Sequence, residues 1–371
     1  MIVRLLLVVA MLLRRSREPL RVAALLLLVT SITAATACEP SQPVFPRHVC
    51  DADLLGRDWN SGMKTLPLPL QNSSSIYDVV SIPGKGLGVV ATKFLPRGTK
   101  IIVEEALLSV PMPEMVSGQG FRIADMLTNV ENSFEALSPQ QQQSFLELHD
   151  HRFTGDEDQS RLLTILRSNA YNTGDDHVGI FPKIARINHS CKPNSGNFWS
   201  KKKSHRIIYA FRDIEEGEEI TVSYIPLLKS IQERHARLYQ YGFTCDCSAC
   251  QSSESSMRRT KISNTIEILE QKVHLQTLKD RTIEKMLAKA TNLVDMIENE
   301  ELGDYLAKAY HLTAVFHERK GDVVEAKKWA TKELDMYQLA ELHSMDALTT
   351  IEYIDDLSMT EMMKLLPKKE I

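Results

Sequence analysis

Three cysteines that crowd into six residues, Cys245, Cys247 and Cys250, constrain the fold of this chain more than any other feature of its sequence. The remaining cysteines are dispersed along the chain, at Cys38, Cys50 and Cys191. The C-x-C-x-x-C spacing holds three thiols too close together for a simple disulfide framework. Three thiolates from one loop can instead occupy three corners of a tetrahedral zinc ion, so a fourth ligand must come from elsewhere.

The length and composition describe an ordinary globular protein. With 371 residues the chain exceeds one typical domain, and we expect a main body plus at least one smaller unit. The chain is 43% hydrophobic and 25% charged, which excludes the disordered, collagenous and disulfide-dense classes. A net charge of -4 gives no general electrostatic reason to bind nucleic acid, and the basic run 201–203 is more typical of a solvated turn.

The N-terminus resembles a targeting segment. Two apolar runs, residues 5–13 and 22–29, flank the basic residues 14–21, and neither run is long enough to span a membrane. If translation began at Met11, the rest would read as a secretory signal with an A-x-A-like cleavage site. We expect residues 1–37 to be a signal peptide or signal anchor, with a mispredicted start codon or an N-terminal extension without function as the alternative.

The next part of the chain predicts a linker followed by strands. Residues 38–75 are rich in Pro, Ser and Asn and lack periodicity, which indicates an irregular linker. Cys38 and Cys50 could pair there if the segment is lumenal. Short β-branched stretches separated by Pro/Gly turns then predict a strand-turn-strand body. The predicted strands are Tyr77–Ile82, Gly88–Thr92 and Lys100–Ala106.

A helical insertion interrupts this β-rich body. Residues from about 112 to 170 change character, with helical spacing in 121–130 and 139–148. Strand signals return at His205–Phe211 and Glu219–Tyr224. The segment that joins these two strands contains Gly217, which suits a tight turn.

Everything beyond Gln251 has helical character. Residues 305–317 and 324–339, joined by Gly321 and Asp322, predict a helix-turn-helix hairpin with small residues at packing positions. This hairpin resembles a tetratricopeptide unit, although one unit is weak evidence for a repeat. The predicted fold class is therefore α+β.

Three motif segments give the chain a family resemblance. They are R-I-N-H-S-C-K-P-N at 186–194, E-G-E-E-I-T-V-S-Y at 216–224 and G-F-T-C-D-C-S-A-C at 242–250, and an upstream G-K-G-L-G turn lies at 84–88. In order and spacing they resemble SET-domain and post-SET sequences, and in particular the SET-and-MYND group and similar fungal proteins. No MYND finger is expected, because the insertion contains no cysteine.

This resemblance implies a domain plan and an activity. It implies a β-rich SET pseudoknot fold over residues 76–225, a post-SET zinc segment over 226–251 and a C-terminal helical region over 252–371. It also implies methyl transfer from S-adenosylmethionine to a lysine of a histone or another protein.

The resemblance also implies a cofactor site. Glycines at 84, 86 and 88 let the backbone approach a ligand closely and accept a positive φ, although a G-x-G alone would suit a plain hairpin turn. Asn188 and His189 would hold the adenosine end, against the alternative of a turn stabilised by an Asx bond. Asn188 also begins a glycosylation sequon, but a sugar there would block the pocket. The implied set is Lys85, Gly86, Gly88, Asn169, Asn188, His189, Tyr224 and Phe243.

Tyr224 is the residue that the resemblance makes catalytic. A phenol with a pKa of about 10 is a poor base at neutral pH, so we expect Tyr224 to orient the lysine and to act electrostatically. The lysine proton would leave to water through the channel. Phe181 resembles the aromatic that lines this channel together with Tyr224, although a core aromatic is the alternative.

In relatives, the cysteine of the N-H-S-C motif joins the three of the post-SET loop, which makes Cys191 the fourth zinc ligand. The zinc ion would then position Phe243 over the adenine and close the lysine channel. For Cys191 alone a free buried thiol is the alternative. For the whole cluster, the alternative is a metal-free disulfide arrangement in an oxidising compartment.

The sequence leaves two alternative functions and the cellular compartment open. The alternatives to the enzyme are a catalytically silent SET scaffold that binds protein partners through its C-terminal helices, and a secreted zinc-stabilised structural domain. The signal-like N-terminus and the sequon at Asn72 favour the secretory path, whereas zinc thiolates and the cofactor favour a reducing interior. The family resemblance indicates nucleus or cytoplasm, and membrane attachment would require the N-terminal segment as an anchor.

Overall fold

A computed structural model describes residues 75–113 and 122–365. The predicted signal-like segment 1–37, the linker up to residue 74, the pairing of Cys38 with Cys50 and the sequon at Asn72 lie outside these residues. Among the helices of the described part, none combines the length and apolar character needed to cross a membrane.

The β-rich body consists of three small sheets. Its strands in chain order are β1 (Tyr77–Ile82), β2 (Gly86–Ala91), β3 (Lys100–Glu105), β4 (Leu108–Pro111), β5 (Tyr171–Gly174), β6 (His177–Ile180), β7 (Asn188–His189), β8 (Ser195–Ser200), β9 (His205–Ala210) and β10 (Glu219–Val222). The sheet orders are β1-β2-β10-β7, β3-β9-β8 and β4-β6-β5. The three strands predicted before the insertion are thus present, with β2 beginning two residues early, at Gly86.

The first sheet brings distant motifs together. Strand β10 pairs with β2 in antiparallel register and with β7 in parallel register. In the parallel pair, Asn188 lies opposite Thr221 and His189 lies opposite Val222. The motif at 186–194 therefore lies beside the motif at 216–224, and both lie beside the glycine turn that precedes β2.

The strands on either side of Gly217 belong to different sheets. The turn is present, because Gly217 has a φ of 82° and donates its N–H to the Ala91 carbonyl at 2.8 Å. However, β9 pairs with β3 and β8, whereas β10 joins β2 and β7. Ile220 and Val222 are fully buried, so burial of this apolar face accounts for pairing with β2 instead of with the sequence neighbour.

The insertion is helical, as predicted. Its helices are α1 (Leu127–Glu135), α2 (Pro139–Leu146) and α3 (Arg161–Asn169). The first helix begins later than expected, after a 3-10 turn at Ile123–Met126. A capping box between Ser138 and Gln141 starts α2, and Pro139 suits its first turn. Val130 and Phe145 are buried in the core that this insertion shares with β4 and β6.

The C-terminal part is helical as predicted, and the α+β class is confirmed. The helices are α4 (Ile231–Leu238), α5 (Ser253–Val273), α6 (Asp280–Asn299), α7 (Gly303–Lys320), α8 (Val323–Ala340) and α9 (Met345–Leu365). The predicted hairpin is the α7–α8 pair, where Gly321 ends α7 at a φ of 85° and Asp322 caps α8. The α5–α7 helices share one core with Cys191, Leu227 and Cys245.

Candidate active site

The structure brings the four predicted zinc ligands into one cluster. The Sγ atoms of Cys191, Cys245, Cys247 and Cys250 all lie within 4.8 Å of one another, and Cys191 Sγ lies 3.5 Å from Cys250 Sγ. All four are free thiols, so the disulfide alternative does not describe this arrangement. Four sulfurs at about 2.3 Å from a tetrahedral zinc ion would be about 3.8 Å apart. The donor set and its spacing therefore fit zinc.

Hydrogen bonds among the four thiols shift their pKa values in opposite directions. Hydrogen bonds from Cys191 lower the pKa of Cys247 and bring the pKa of Cys250 to about 5. Hydrogen bonding to the other thiols raises the pKa of Cys191. Two of the four thiols are thus shifted toward the thiolate form, which is the form that zinc requires of its cysteine ligands.

A hydrogen-bonded network connects three residues beside the glycine turn. The Asn188 amide Nδ2 donates to the Leu87 carbonyl at 3.1 Å and to Glu219 Oε1 at 2.9 Å. The other oxygen of Glu219 accepts from Lys85 Nζ at 2.7 Å. A Cβ at residue 88 would lie 2.8 Å from this amide nitrogen, so only glycine leaves room for it. Glu219 thus holds two predicted cofactor residues, Lys85 and Asn188.

His189 connects the cysteine cluster to Tyr224. Its Nδ1 accepts the Tyr224 backbone N–H at 3.0 Å, so its proton resides on Nε2, which lies 3.3 Å from Cys191 Sγ. Burial lowers the pKa of His189 to about 3, which keeps the ring neutral. His189 is therefore in direct contact with both the predicted catalytic tyrosine, Tyr224, and the predicted zinc ligand, Cys191.

Tyr224 lies in an aromatic enclosure. Its ring centroid is 4.9 Å from that of Tyr241, 5.4 Å from His189 and 6.4 Å from Phe243. Its hydroxyl donates to the Ile187 carbonyl. Burial raises the pKa of Tyr224 well above its usual value, so the phenol is neutral at physiological pH. The structure therefore offers a neutral, oriented hydroxyl and not a phenolate base.

Two other predicted site residues have mainly structural contacts. Phe181 is fully buried, and its ring packs edge-on against Tyr171 and Trp199. These contacts agree with the alternative that Phe181 is an aromatic residue of the hydrophobic core. Its role in lining a lysine channel stays a prediction. Asn169 donates to the carbonyls of His149 and Ile165, both at 2.7 Å, and so stabilises the insertion itself. Its contact with a cofactor stays a prediction as well.

The structure adds residues that sequence reasoning missed. Tyr241 approaches the Tyr224 ring more closely than Phe243 does. Tyr171 lies near the same enclosure, and burial raises its pKa to about 12. Tyr241 could have been found because it lies two residues before Phe243, in the segment that already carried a motif. Glu219 could have been found for the same reason, because it lies inside the motif at 216–224.

These features define the class of the β-rich body. Residues 86–225 match the family model of the SET domain, so the chain contains a SET domain and the resemblance found in the sequence is confirmed.

Individual relatives agree with this class. The chain is 32% identical over 188 residues to histone-lysine N-methyltransferase set5 of Schizosaccharomyces pombe, covering 50% of this chain and 54% of the relative. It is 42% identical over 78 residues to histone-lysine N-methyltransferase SMYD3 of Homo sapiens, covering 21% and 18%. It is 42% identical over 89 residues to N-lysine methyltransferase SMYD2 of Gallus gallus, covering 23% and 20%. The chain thus matches about half the length of the first relative and about a fifth of the other two.

Proposed function

We propose that this protein is an S-adenosylmethionine-dependent protein-lysine N-methyltransferase. The observation that carries the proposal is the parallel pairing of β7 with β10, because it gathers Asn188, His189 and Tyr224 at one edge of the first sheet. The names of the relatives, histone-lysine and N-lysine methyltransferases, support the same reaction class.

The residues present fit the cofactor. Gly88 lets the Asn188 amide and the Glu219 carboxylate pack against the backbone of the glycine turn, which would hold both side chains in place for the cofactor. Lys85 supplies a cation for the cofactor carboxylate, and the Glu219 carboxylate supplies an anion near the site of its ammonium. Phe243, which is partly exposed next to His189, offers an aromatic face for the adenine.

Tyr224 would act by orientation and electrostatics. The bound cofactor supplies an electrophilic methyl group on a sulfonium, and transfer requires an in-line approach of a neutral amine. The Tyr224 hydroxyl proton is already donated to Ile187, so the lone pairs of its oxygen remain available to a polarised methyl group. An ammonium entering this apolar aromatic enclosure loses hydration, and this favours loss of its proton to water.

The four cysteines would hold a structural zinc ion. Zinc bound there would tie the β7 motif to the loop that carries Tyr241 and Phe243, because Cys191 lies two residues after His189 and Cys245 lies two residues after Phe243. The metal would thereby set the distance between the two sides of the proposed site.

For the substrate we propose a lysine of a histone or of another protein, in the nucleus or cytoplasm. Four unpaired thiols favour a reducing compartment, where they stay available to zinc. A short cationic segment such as a histone tail is compatible with the overall charge of -4. The C-terminal helices would be available for protein partners.

The test is transfer of a radiolabelled methyl group from S-adenosylmethionine to core histones and to a mixed protein extract. We expect incorporation by the wild-type chain and a loss of about 100-fold in rate for Tyr224→Phe, since one preorganised polar group at the reacting centre is removed. Tyr239→Phe is the matched control, because Tyr239 is an exposed tyrosine that stacks on Phe153 instead. Absence of incorporation by folded, zinc-loaded protein would contradict the proposal and favour the scaffold alternative.

A further inference from the structure

Two arginines near the cysteine cluster are completely buried. Arg234 on α4 and Arg259 on α5 each have no exposed surface. A guanidinium stays charged in proteins, and a buried charge is costly unless it is paired and hydrogen-bonded. Because the fold retains two such charges at the same place, their contacts indicate what they stabilise.

Arg234 contacts the cluster itself. Its Nη2 lies 3.4 Å from Cys250 Sγ and donates to the Ala249 carbonyl at 3.2 Å, while Nη1 donates to the Lys229 carbonyl at 2.7 Å. A zinc ion with four thiolates carries a net charge of about -2. Arg234 therefore balances part of the negative charge that this set of ligands would bring into the core.

Arg259 holds the backbone of the isolated cysteine. Its Nη2 donates to the Cys191 carbonyl at 2.8 Å, and its Nη1 donates to the Leu227 carbonyl at 3.3 Å. The planar fork of one guanidinium thus joins the end of the β7 motif to the segment after β10. This hydrogen bond restrains the backbone of Cys191, from which the side chain that carries the sulfur extends.

Arg259 is in turn positioned by a buried carboxylate. Its Nε lies 3.2 Å from Glu300 Oε2, and Glu300, just after α6, has no exposed surface. Ser255 donates to the same oxygen at 2.6 Å. Arg258, the neighbour of Arg259, reaches the other oxygen from the surface side. The residues that hold the Cys191 backbone therefore belong to α5 and to the end of α6, outside the SET motifs.

We propose that Arg259, held by Glu300, is a positioning residue for the zinc site, so that the C-terminal helices form part of the support of the metal ligands. The shared core of α5–α7 with Cys191 and Cys245 agrees with this role. Partners of metal ligands usually change metal affinity about 10- to 100-fold when they are removed. The inference rests on the zinc site of the proposed function and assigns it a component that the motifs do not contain.

The test measures zinc stoichiometry and the rate of zinc release to a chromogenic chelator, on the full chain. We expect release from Arg259→Met to be about 10- to 100-fold faster than from the wild type. Arg258→Met is the matched control, because Arg258 shares the helix and the Glu300 partner but makes no contact with Cys191. Its release rate should stay within about twofold of the wild type, since Ser255 and Arg259 still hold the Glu300 carboxylate and the bond from Arg259 to Cys191 is intact.

Two further variants keep the test decisive if Arg259→Met does not fold. Arg259→Lys retains the charge but cannot reach both carbonyls, so it should also release zinc faster. Glu300→Gln retains the shape but weakens the hold on Arg259, and should change zinc release in the same direction. Equal release rates for folded Arg259→Lys and Arg258→Met would overturn the inference.

The failure of this inference is distinguishable from failure of the proposed function. A wild-type chain that binds no zinc overturns the metal site and this inference together. A wild-type chain that binds zinc and transfers methyl groups, but whose zinc release is insensitive to residue 259, overturns only the role of Arg259.

Discussion

Gly88 offers a direct test of the proposed cofactor turn. A Cβ at this position would lie 2.5 Å from Ile82 Cγ1, 2.8 Å from Asn188 Nδ2 and 3.1 Å from Glu219 Oε1. Ordinary carbon contacts are about 3.5–4.0 Å, so Gly88→Ala creates an overlap of about 1 Å with Ile82. The Asn188 amide must also move, and its bonds to Leu87 and Glu219 then weaken.

The expected cost has a steric origin. Overpacking of this size typically destabilises by about 1–3 kcal/mol, and we expect that loss in the unfolding free energy of Gly88→Ala. Because Asn188 and Glu219 are proposed cofactor residues, the Kd for S-adenosylmethionine should rise by about 10-fold or more, equivalent to about 1.4 kcal/mol. Denaturant unfolding and titration calorimetry measure the two quantities separately.

Gly84→Ala is the control for backbone strain alone. Gly84 has a φ of 75°, and a Cβ there would meet nothing within 4 Å. This variant should lose about 1–2 kcal/mol of stability from the left-handed conformation, with the cofactor Kd within about threefold of wild type. If folded Gly88→Ala and Gly84→Ala bind the cofactor equally well, the assignment of the Asn188 network to the cofactor site is refuted.

Two other predictions concern the metal and the response to acid. Cys191→Ser should lower the zinc content and the unfolding midpoint and weaken cofactor binding by about 10-fold or more, because it removes a ligand next to His189; unchanged cofactor affinity in a folded variant would contradict the coupling. Partial burial would raise the pKa of Asp156, but the hydrogen bond from Arg167 holds it below its usual value. Asp156 therefore contributes stability that is present above the pKa of about 4 of an unfolded aspartate and is lost as the pH falls through the lower folded pKa. Asp156→Asn should remove that part of the acid dependence of thermal unfolding, and an unaltered pH profile would count against the ion pair.

Local signals explain which parts of the fold were predictable. Strand β1 was predicted with its observed bounds because β-branched residues end at a Pro-Gly turn, and the α7–α8 hairpin was predicted from its periodicity and its Gly321-Asp322 turn. The sheet to which β10 belongs was not predictable from its neighbour β9. That choice depends on which distant strand buries Ile220 and Val222.

The supporting residues of the site were not predictable for a related reason. Arg258 and Arg259 are adjacent in the sequence, yet one is half exposed and the other is fully buried. No property of the local sequence separates them, because the difference arises from Glu300 and Cys191, which lie 41 and 68 residues away from Arg259. Motifs identify residues that contact ligands, whereas residues that hold those motifs in place are identified by tertiary contacts.

Cys191 is the point where these contacts meet. Its carbonyl is held by Arg259, its sulfur lies among the other three thiols, and the same sulfur contacts His189 Nε2. The other nitrogen of His189 accepts the backbone N–H of Tyr224. The imidazole ring of His189 therefore contacts both residues, and a shift of Cys191 would change the position of the ring that binds the Tyr224 backbone. The cysteine cluster, helix α5 and the proposed catalytic tyrosine are thus joined by one continuous chain of contacts through Cys191 and His189.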